Sequence, residues 1–557
     1  MKQKVLLFLY LLSCTFLIGY LYHFPLTGID DANIYFVYMK NFANGHGFVY
    51  NIGGERVEGF TSVFWALIGS FFFRFTNHIE ICLLVINFCL LYFSLMVAIK
   101  IIELFTPSTK ENTNYTIIFL GLLIIFPGFY DWTLFSLLET GLWTFELILV
   151  TYLLIIPYLK EDFTFEKSSW YFALLFPFLI ITRPESILLG VVIIIIRFSQ
   201  LIIERKNSQN IIKQVTLLFI VYCLSLSILT KWRLYYFGYP FPNTYYIKMT
   251  DGFLNNLKEG AVYFTKYTIR TNPLIILTIP LVFLWIYNFM KKRTFTNNNK
   301  IIFILIILSA VGISIPFYTG GDHFRLSRFY QVFTPIFYLC LLFILQSFQP
   351  TSSIFSRILS SKKNILICLV ILSSLPLNNL YYLFYNKTKT IAMEFHIAKQ
   401  NREIGNHLNS FFYTIKKPSI GVVAAGGIKY TYNGYVNDVL GLNNIEVAHT
   451  IGDRPISILK SHRAFNKTVF LKQYPDLFIF DFVTDTSRYI PYAKRKNIDN
   501  EFGSKVIKHI YNDSNFNRQY SSVFIYNKKT NEFLFSYCNK NFLKIIDTSF
   551  YKISVIK

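Results

Sequence analysis

Long, nearly uncharged apolar runs recur along the chain and leave few architectures open. They lie at 5–22, 80–103, 115–130, 139–158, 169–182, 186–203, 211–230, 273–290, 301–318, 329–348 and 364–384. Runs of this length suit helices that cross a hydrocarbon core about 30 Å thick, and only helices or closed barrels satisfy their backbone there. The expected fold is an α-helical polytopic membrane protein of about eleven spans. The runs 169–182 and 186–203 flank Arg183-Pro184-Glu185 and predict a tight hairpin with one short arm. Composition agrees, because only 15% of the 557 residues are charged, where a soluble protein would carry about a quarter.

A further run, Phe60 to Phe75, decides the topology by parity. If it spans, the basic loops Glu204-Arg205-Lys206, Lys291-Lys292-Arg293 and Arg357 to Lys363 face outward. If it lies along the membrane surface, they face the cytoplasm with Lys2 and Lys4, as the positive-inside rule asks. The second reading is adopted. It sends Thr27 to Ser62, Tyr130 to Thr140, Lys231 to Asn272 and Thr319 to Arg328 to the exterior. The run from Val5 to Tyr22 follows Lys2 and Lys4 but has no small-residue cleavage site, so it reads as a retained span. Much of the net charge of +23 lies in short loops and in the last 170 or so residues, which points to membrane orientation and not to nucleic acid. Six of seven cysteines fall in apolar runs and only Cys538 does not, a pattern that fits neither a disulfide framework nor a zinc cluster.

Two domains are expected. Residues 1–385 form the membrane domain, with a first exterior loop and juxtamembrane helices at 23–79 and a large exterior loop at 231–272. Residues 386–557 form an exterior domain. Short apolar stretches at Ile420 to Gly427 and Asp476 to Asp481 predict strands, and Met393 to Phe411 has helical spacing, so that domain should be α/β.

The exterior segments hold the chemistry. Asp30 and Asp31 are adjacent carboxylates past the end of a span, where a low-dielectric wall and mutual repulsion raise pKa values and suit one to act as a general base. The bland reading is a helix cap and a solvated neighbour. Lys231-Trp232-Arg233 and Pro240 to Lys248 combine cations with aromatic rings. Such rings stack on sugars and such cations hold phosphate, although an interfacial belt has the same composition. Arg325 and Arg328 stand three apart, a spacing that places both on one helical face if the segment is helical. Glu139 and the pair Arg183 and Glu185 lie at span ends, where the pair can neutralise itself and Glu139 can start a helix. Glu146, inside a span, is expected to bond to a neighbouring helix.

The ordered set Asp30-Asp31-Ala32, Asn41 to Gly47, Asn51, Glu55 to Ser62, Leu138-Glu139-Thr140, Arg183-Pro184-Glu185, Tyr235 to Gly238, Pro242 to Tyr246, Gly321-Asp322, Arg328-Phe329 and Asn437 to Leu442 resembles bacterial GT-C superfamily glycosyltransferases, especially mycobacterial arabinofuranosyltransferase-like enzymes. The chain departs from that pattern at Val37, where relatives often carry arginine, and at His323, where they are often apolar. The resemblance implies transfer of a sugar from a polyprenyl-phosphate donor to a hydroxyl of a cell-envelope glycan, glycolipid or protein on the outer face of the cytoplasmic membrane, with inversion. It implies Asp30 as base, with Asp31 assisting. His46, Asn51, Glu55, Glu58, Glu139, Arg183, Glu185, Arg233, Asn243, Tyr245, Lys248, Asp322, His323, Arg325 and Arg328 are the expected substrate-binding set. Expected partners are the lipid-linked donor, the glycan or lipid acceptor and membrane lipid. Asp30, Asp31 and Asp322 could bind a divalent cation, but no ligand spacing compels it. A flippase for a lipid-linked sugar and a non-catalytic assembly protein are the competing readings; a flippase would bury its ionisable groups mid-membrane.

Overall fold

The computed structural model describes residues 2–106, 108–248, 252–292, 295–348, 362–373, 391–413, 416–450, 462–483 and 505–556. The first half of the chain is helical: α1 (Lys2–Leu21), α2 (Asp30–Ala43), α3 (Val63–Phe73), α4 (Ile79–Phe105), α5 (Thr109–Ile125), α6 (Thr140–Leu159), α7 (Phe165–Thr182), α8 (Ser186–Ile203) and α9 (Ser208–Phe237). It continues through α10 (Asn243–Lys248), α11 (Phe253–Lys266), α12 (Leu274–Lys292), α13 (Asn297–Thr319), α14 (Arg328–Gln331) and α15 (Thr334–Phe348). Polar caps fix several starts: Ser62, Thr164, Asn207 and Thr296 each accept from a backbone N–H three residues on, filling orphan donors of the first turn. Gly238 ends α9 at φ 82°, a left-handed conformation that glycine adopts without a Cβ penalty.

Among the described residues seven helices are long and apolar enough to cross a membrane: α1, α4, α6, α8, α9, α12 and α13. The protein is therefore an integral membrane protein. The expectation of about eleven spans is narrowed by this measure. Of the other four runs, one lies on α7, which carries polar residues in its first turns, and two lie on α5 and α15, of 17 and 15 residues. The fourth run, 364–384, is described only as the helix Lys362–Ser373, and residues 374–384 lie outside the described set, as do Arg293, 357–361 and the domain boundary at 385/386. Within the run Phe60 to Phe75 the helix α3 has 11 residues, about 16 Å at 1.5 Å per residue, half the thickness of the hydrocarbon core.

The C-terminal domain holds a six-stranded mixed sheet of order β2-β1-β3-β5-β4-β6, with β1 (Ile420–Val422), β2 (Val436–Asp438), β3 (Leu477–Val483), β4 (Tyr520–Asn527), β5 (Glu532–Asn539) and β6 (Tyr551–Val555). β1 pairs in parallel with β2 and β3, and the remaining pairs are antiparallel. The helix Ala392–Phe411 buries Phe395, Ala398, Gly405, Leu408 and Phe411, at intervals of three and seven residues that follow the helical repeat.

This domain sits on one end of the helical bundle. Asn51 acts as an extra strand edge, its Nδ2 donating to the Val436 carbonyl at 2.9 Å and its Oδ1 accepting from the Val436 N–H at 3.0 Å. Arg402 reaches Glu80 at the start of α4 at 2.7 Å and Asn33 of α2 at 2.5 Å. Asn243 donates to the carbonyls of Gly441, Leu442 and Asn444. That loop is shaped by the buried Asp438 carboxylate, which accepts from the N–H groups of Leu440, Gly441 and Asn443; burial pushes its pKa up to about 6 against those bonds.

Candidate functional site

At the same end of the bundle, segments far apart in sequence bring opposite charges together. Asp30 and Asp31 open α2, and consecutive helical residues point about 100° apart, so the two carboxylates diverge. Asp31 turns to Arg328, with its Oδ2 3.7 Å from the guanidinium Nη1 and its side chain 33% exposed. Arg328 is buried at the start of α14, its Nε donating to Asp322 Oδ2 at 2.6 Å and its guanidinium 4.4 Å from the Phe324 ring centre. Such a planar, desolvated guanidinium keeps donors for an anion. Lys248, the last residue of α10, feels the charges of this group: burial and then the Arg328 charge hold its ammonium below the usual value, while Asp31 and Asp322 oppose that.

Beside it lies a second charged group. Arg183 binds Glu185 through two hydrogen bonds of 2.9 and 2.6 Å and Glu139 through one of 2.5 Å. The expected pairing across the α7–α8 turn is present, and Glu139 completes it. A small pocket opens between the two groups, with Arg183, Glu185 and Arg328 on its polar side and Trp143, Ile315, Val332 and Phe333 on its apolar side.

Other expected site residues are placed elsewhere. Glu58 and Arg233 form a buried bidentate pair with bonds of 2.8 to 3.1 Å, so the arginine is neutralised within the fold; burial still lifts the Glu58 carboxyl to about 7. Asn51, Asn243 and Glu55 bond to the C-terminal domain, Glu55 accepting from the Ile445 N–H at 2.9 Å. Tyr245 stacks on Phe241 with centroids 4.6 Å apart. His46 is exposed on the turn after α2. His323 stacks on Phe324 and faces His462, and burial holds its pKa well below the usual value.

Arg325 corrects a geometric expectation. Leu326 and Ser327 take φ of 61° and 52°, and α14 begins only at Arg328, so the two arginines do not share a helical face. Arg325 is exposed, and its carbonyl accepts from Trp132 Nε1 at 3.1 Å.

Asp30 turns to the C-terminal domain. Its Oδ2 accepts from the Gly426 N–H, and its Oδ1 from the Gly427 N–H and from Asn401 Nδ2, at 2.9, 2.9 and 3.1 Å. Asp30 is engaged and an arginine faces Asp31; among the described residues no group of three His, Cys, Asp or Glu side chains could hold a metal ion.

The sequence reading missed Glu394, which lies close enough to Asp31, Asp30 and Asp322 to feel their charges. Its place in the first turn of the helix Ala392–Phe411 gave no signal, because nothing in that segment shows which end packs on α2. Glu146 behaves as expected, accepting from Thr182 Oγ1 of α7 at 2.9 Å.

No family model matches the chain, and no curated protein matches it. Among solved structures it is similar to the archaeal oligosaccharyltransferase AglB from Archaeoglobus fulgidus in complex with an inhibitory peptide and a dolichol-phosphate, at TM-score 0.48 and 10% identity over 98% of this chain and 75% of that chain. It is also similar to the Archaeoglobus fulgidus oligosaccharyltransferase tethered with an acceptor peptide, at TM-score 0.46 and 10% identity, with 92% and 70% covered. For the apo form of the enzyme from that organism the values are 0.43 and 11%, with 92% and 71% covered. The likeness is distant.

Proposed function

We propose that the protein is a membrane glycosyltransferase that moves a sugar from a polyprenyl-phosphate donor to a hydroxyl of a glycan or glycolipid. The carrying observation is the Asp31 carboxylate, a third exposed, 3.7 Å from the buried Arg328, which itself lines a pocket that grades from charged to apolar. A phosphate followed by a hydrocarbon chain has the same gradation. Asp31 takes the proton of the acceptor hydroxyl as its oxygen bonds to the anomeric carbon. The bond from that carbon to the phosphate oxygen breaks, and the leaving phosphate stays with Arg328 and Lys248. Attack opposite the leaving group inverts the anomeric centre. The exterior face of the cytoplasmic membrane is the proposed location. The narrower likeness to arabinofuranosyl-transferring enzymes rests on the loop motifs alone.

Membranes carrying the protein, incubated with labelled polyprenyl-phosphate sugars, test this reading. Asp31→Asn should lower turnover by about 100-fold or more, the usual size of a lost general base. Lys248→Met should raise the donor KM. Wild-type rates in both variants would refute the assignment, and label crossing the bilayer without a new glycosidic bond would favour a carrier.

A further inference from the structure

We infer that Asp30 is a positioning residue: it ties the C-terminal domain to the first turn of α2 and so sets where Asp31 stands. This rests on the reading of Asp31 given above. Three donors fill the Asp30 carboxylate, two of them the successive N–H groups of Gly426 and Gly427. Main-chain donors cannot swing away as side chains do, so on the domain's side this contact opens only if the loop itself moves. The approach is close enough to require glycine, since a Cβ on Gly426 would lie 1.9 Å from the Asp30 carbonyl oxygen, backbone against side chain with no rotamer to relieve it.

The same loop is gripped again one residue earlier, where the buried Tyr50 hydroxyl donates to the Ala425 carbonyl at 2.5 Å. Asn401, the third donor, comes from the helix Ala392–Phe411, and its neighbour Arg402 donates to Asn33 one turn along α2. Two pieces of the domain thus hold the start of α2. Asp31 follows Asp30 directly, so a displacement of this joint moves the Asp31 carboxylate relative to Arg328, which α14 carries independently. An error of about 1 Å at a reacting group costs up to about 100-fold in rate. Binding of the donor phosphate, held by Arg328 and Lys248, should change little.

The test uses the full-length protein with Asp30→Asn, Gly426→Ala and the double variant. Asp30→Asn sets an NH2 group against the loop N–H donors, and Gly426→Ala opens the joint from the other side. Each should lower kcat about 10- to 100-fold with the donor KM nearly unchanged, and the double variant should be no worse than the more severe single one, as for two halves of one contact. The acid limb of the pH profile should persist in Asp30→Asn, and amide exchange over residues 425–432 should quicken in both single variants. Loss of the acid limb with unchanged exchange would make Asp30 the base and overturn the proposal, as would additive effects or full activity in Gly426→Ala. If the wild-type protein transfers no sugar, the functional reading fails on its own. Amide exchange still decides the joint in that case, and unchanged exchange in both variants overturns it.

Discussion

Carboxylates of one chemical type meet four fates here, decided by what each faces. Asp30 is filled by main-chain donors, Glu58 by an arginine fork, and Asp31 keeps a third of its surface open. Glu394 meets a fourth fate, because burial and then the Asp31 and Asp30 charges push its carboxyl from 4.5 to about 7. The folded protein thus holds a proton that the unfolded chain releases at lower pH. Stability from this group is complete below about pH 4.5 and is lost as pH rises through about 7. Melting curves in detergent should show the wild-type Tm falling between those values relative to Glu394→Gln; parallel curves would contradict this.

At the scale of elements, the α7–α8 hairpin depends on one arginine between two acids. The side chains of Arg183, Glu139 and Glu185 are 12%, 2% and 12% exposed, so Arg183→Ala would strand two carboxylates away from water. Breaking a buried pair in this way costs about 3 to 5 kcal/mol. A lower Tm and poor recovery of folded protein are expected, and Glu139→Gln, which keeps a hydrogen-bond acceptor, should be milder; comparing their thermal unfolding checks the order. A three-residue spacing rule fails nearby. Arg325 and Arg328 look like a helical pair in sequence, but the left-handed Leu326 and Ser327 turn the chain between them. That turn lets Trp132 bond to the Arg325 carbonyl and lets Arg328 lie over Phe324, contacts between distant segments that no local pattern announces.

For the whole molecule, the meeting of Asp31 with Arg328 requires the loops after α1 and after α13 to lie on one side of the membrane. With that side facing outward, as proposed, cysteines in place of the exposed His46 and Arg325 should both react with an impermeant thiol reagent in intact cells. A cysteine at Lys206, beyond the far end of the 18-residue α8 and so about 27 Å away, should react only after permeabilisation. Labelling of 46 and 325 from opposite sides would break the site. The sequence by itself determined the helical membrane body, the strand-bearing C-terminal domain and the tight turn at Arg183 to Glu185, because apolar run length, residue alternation and turn chemistry are local properties that burial in a bilayer or a core reads directly. It also marked the loops that carry the charged cluster. Only the tertiary structure decided which of those residues face one another: that Asn51, Asn243 and Asp30 hold the C-terminal domain, that Glu58 closes on Arg233, and that Asp31 is left to Arg328. Those outcomes depend on distances between segments up to nearly 400 residues apart, and electrostatic pairing is set by separation in space, which a linear order of residues does not contain.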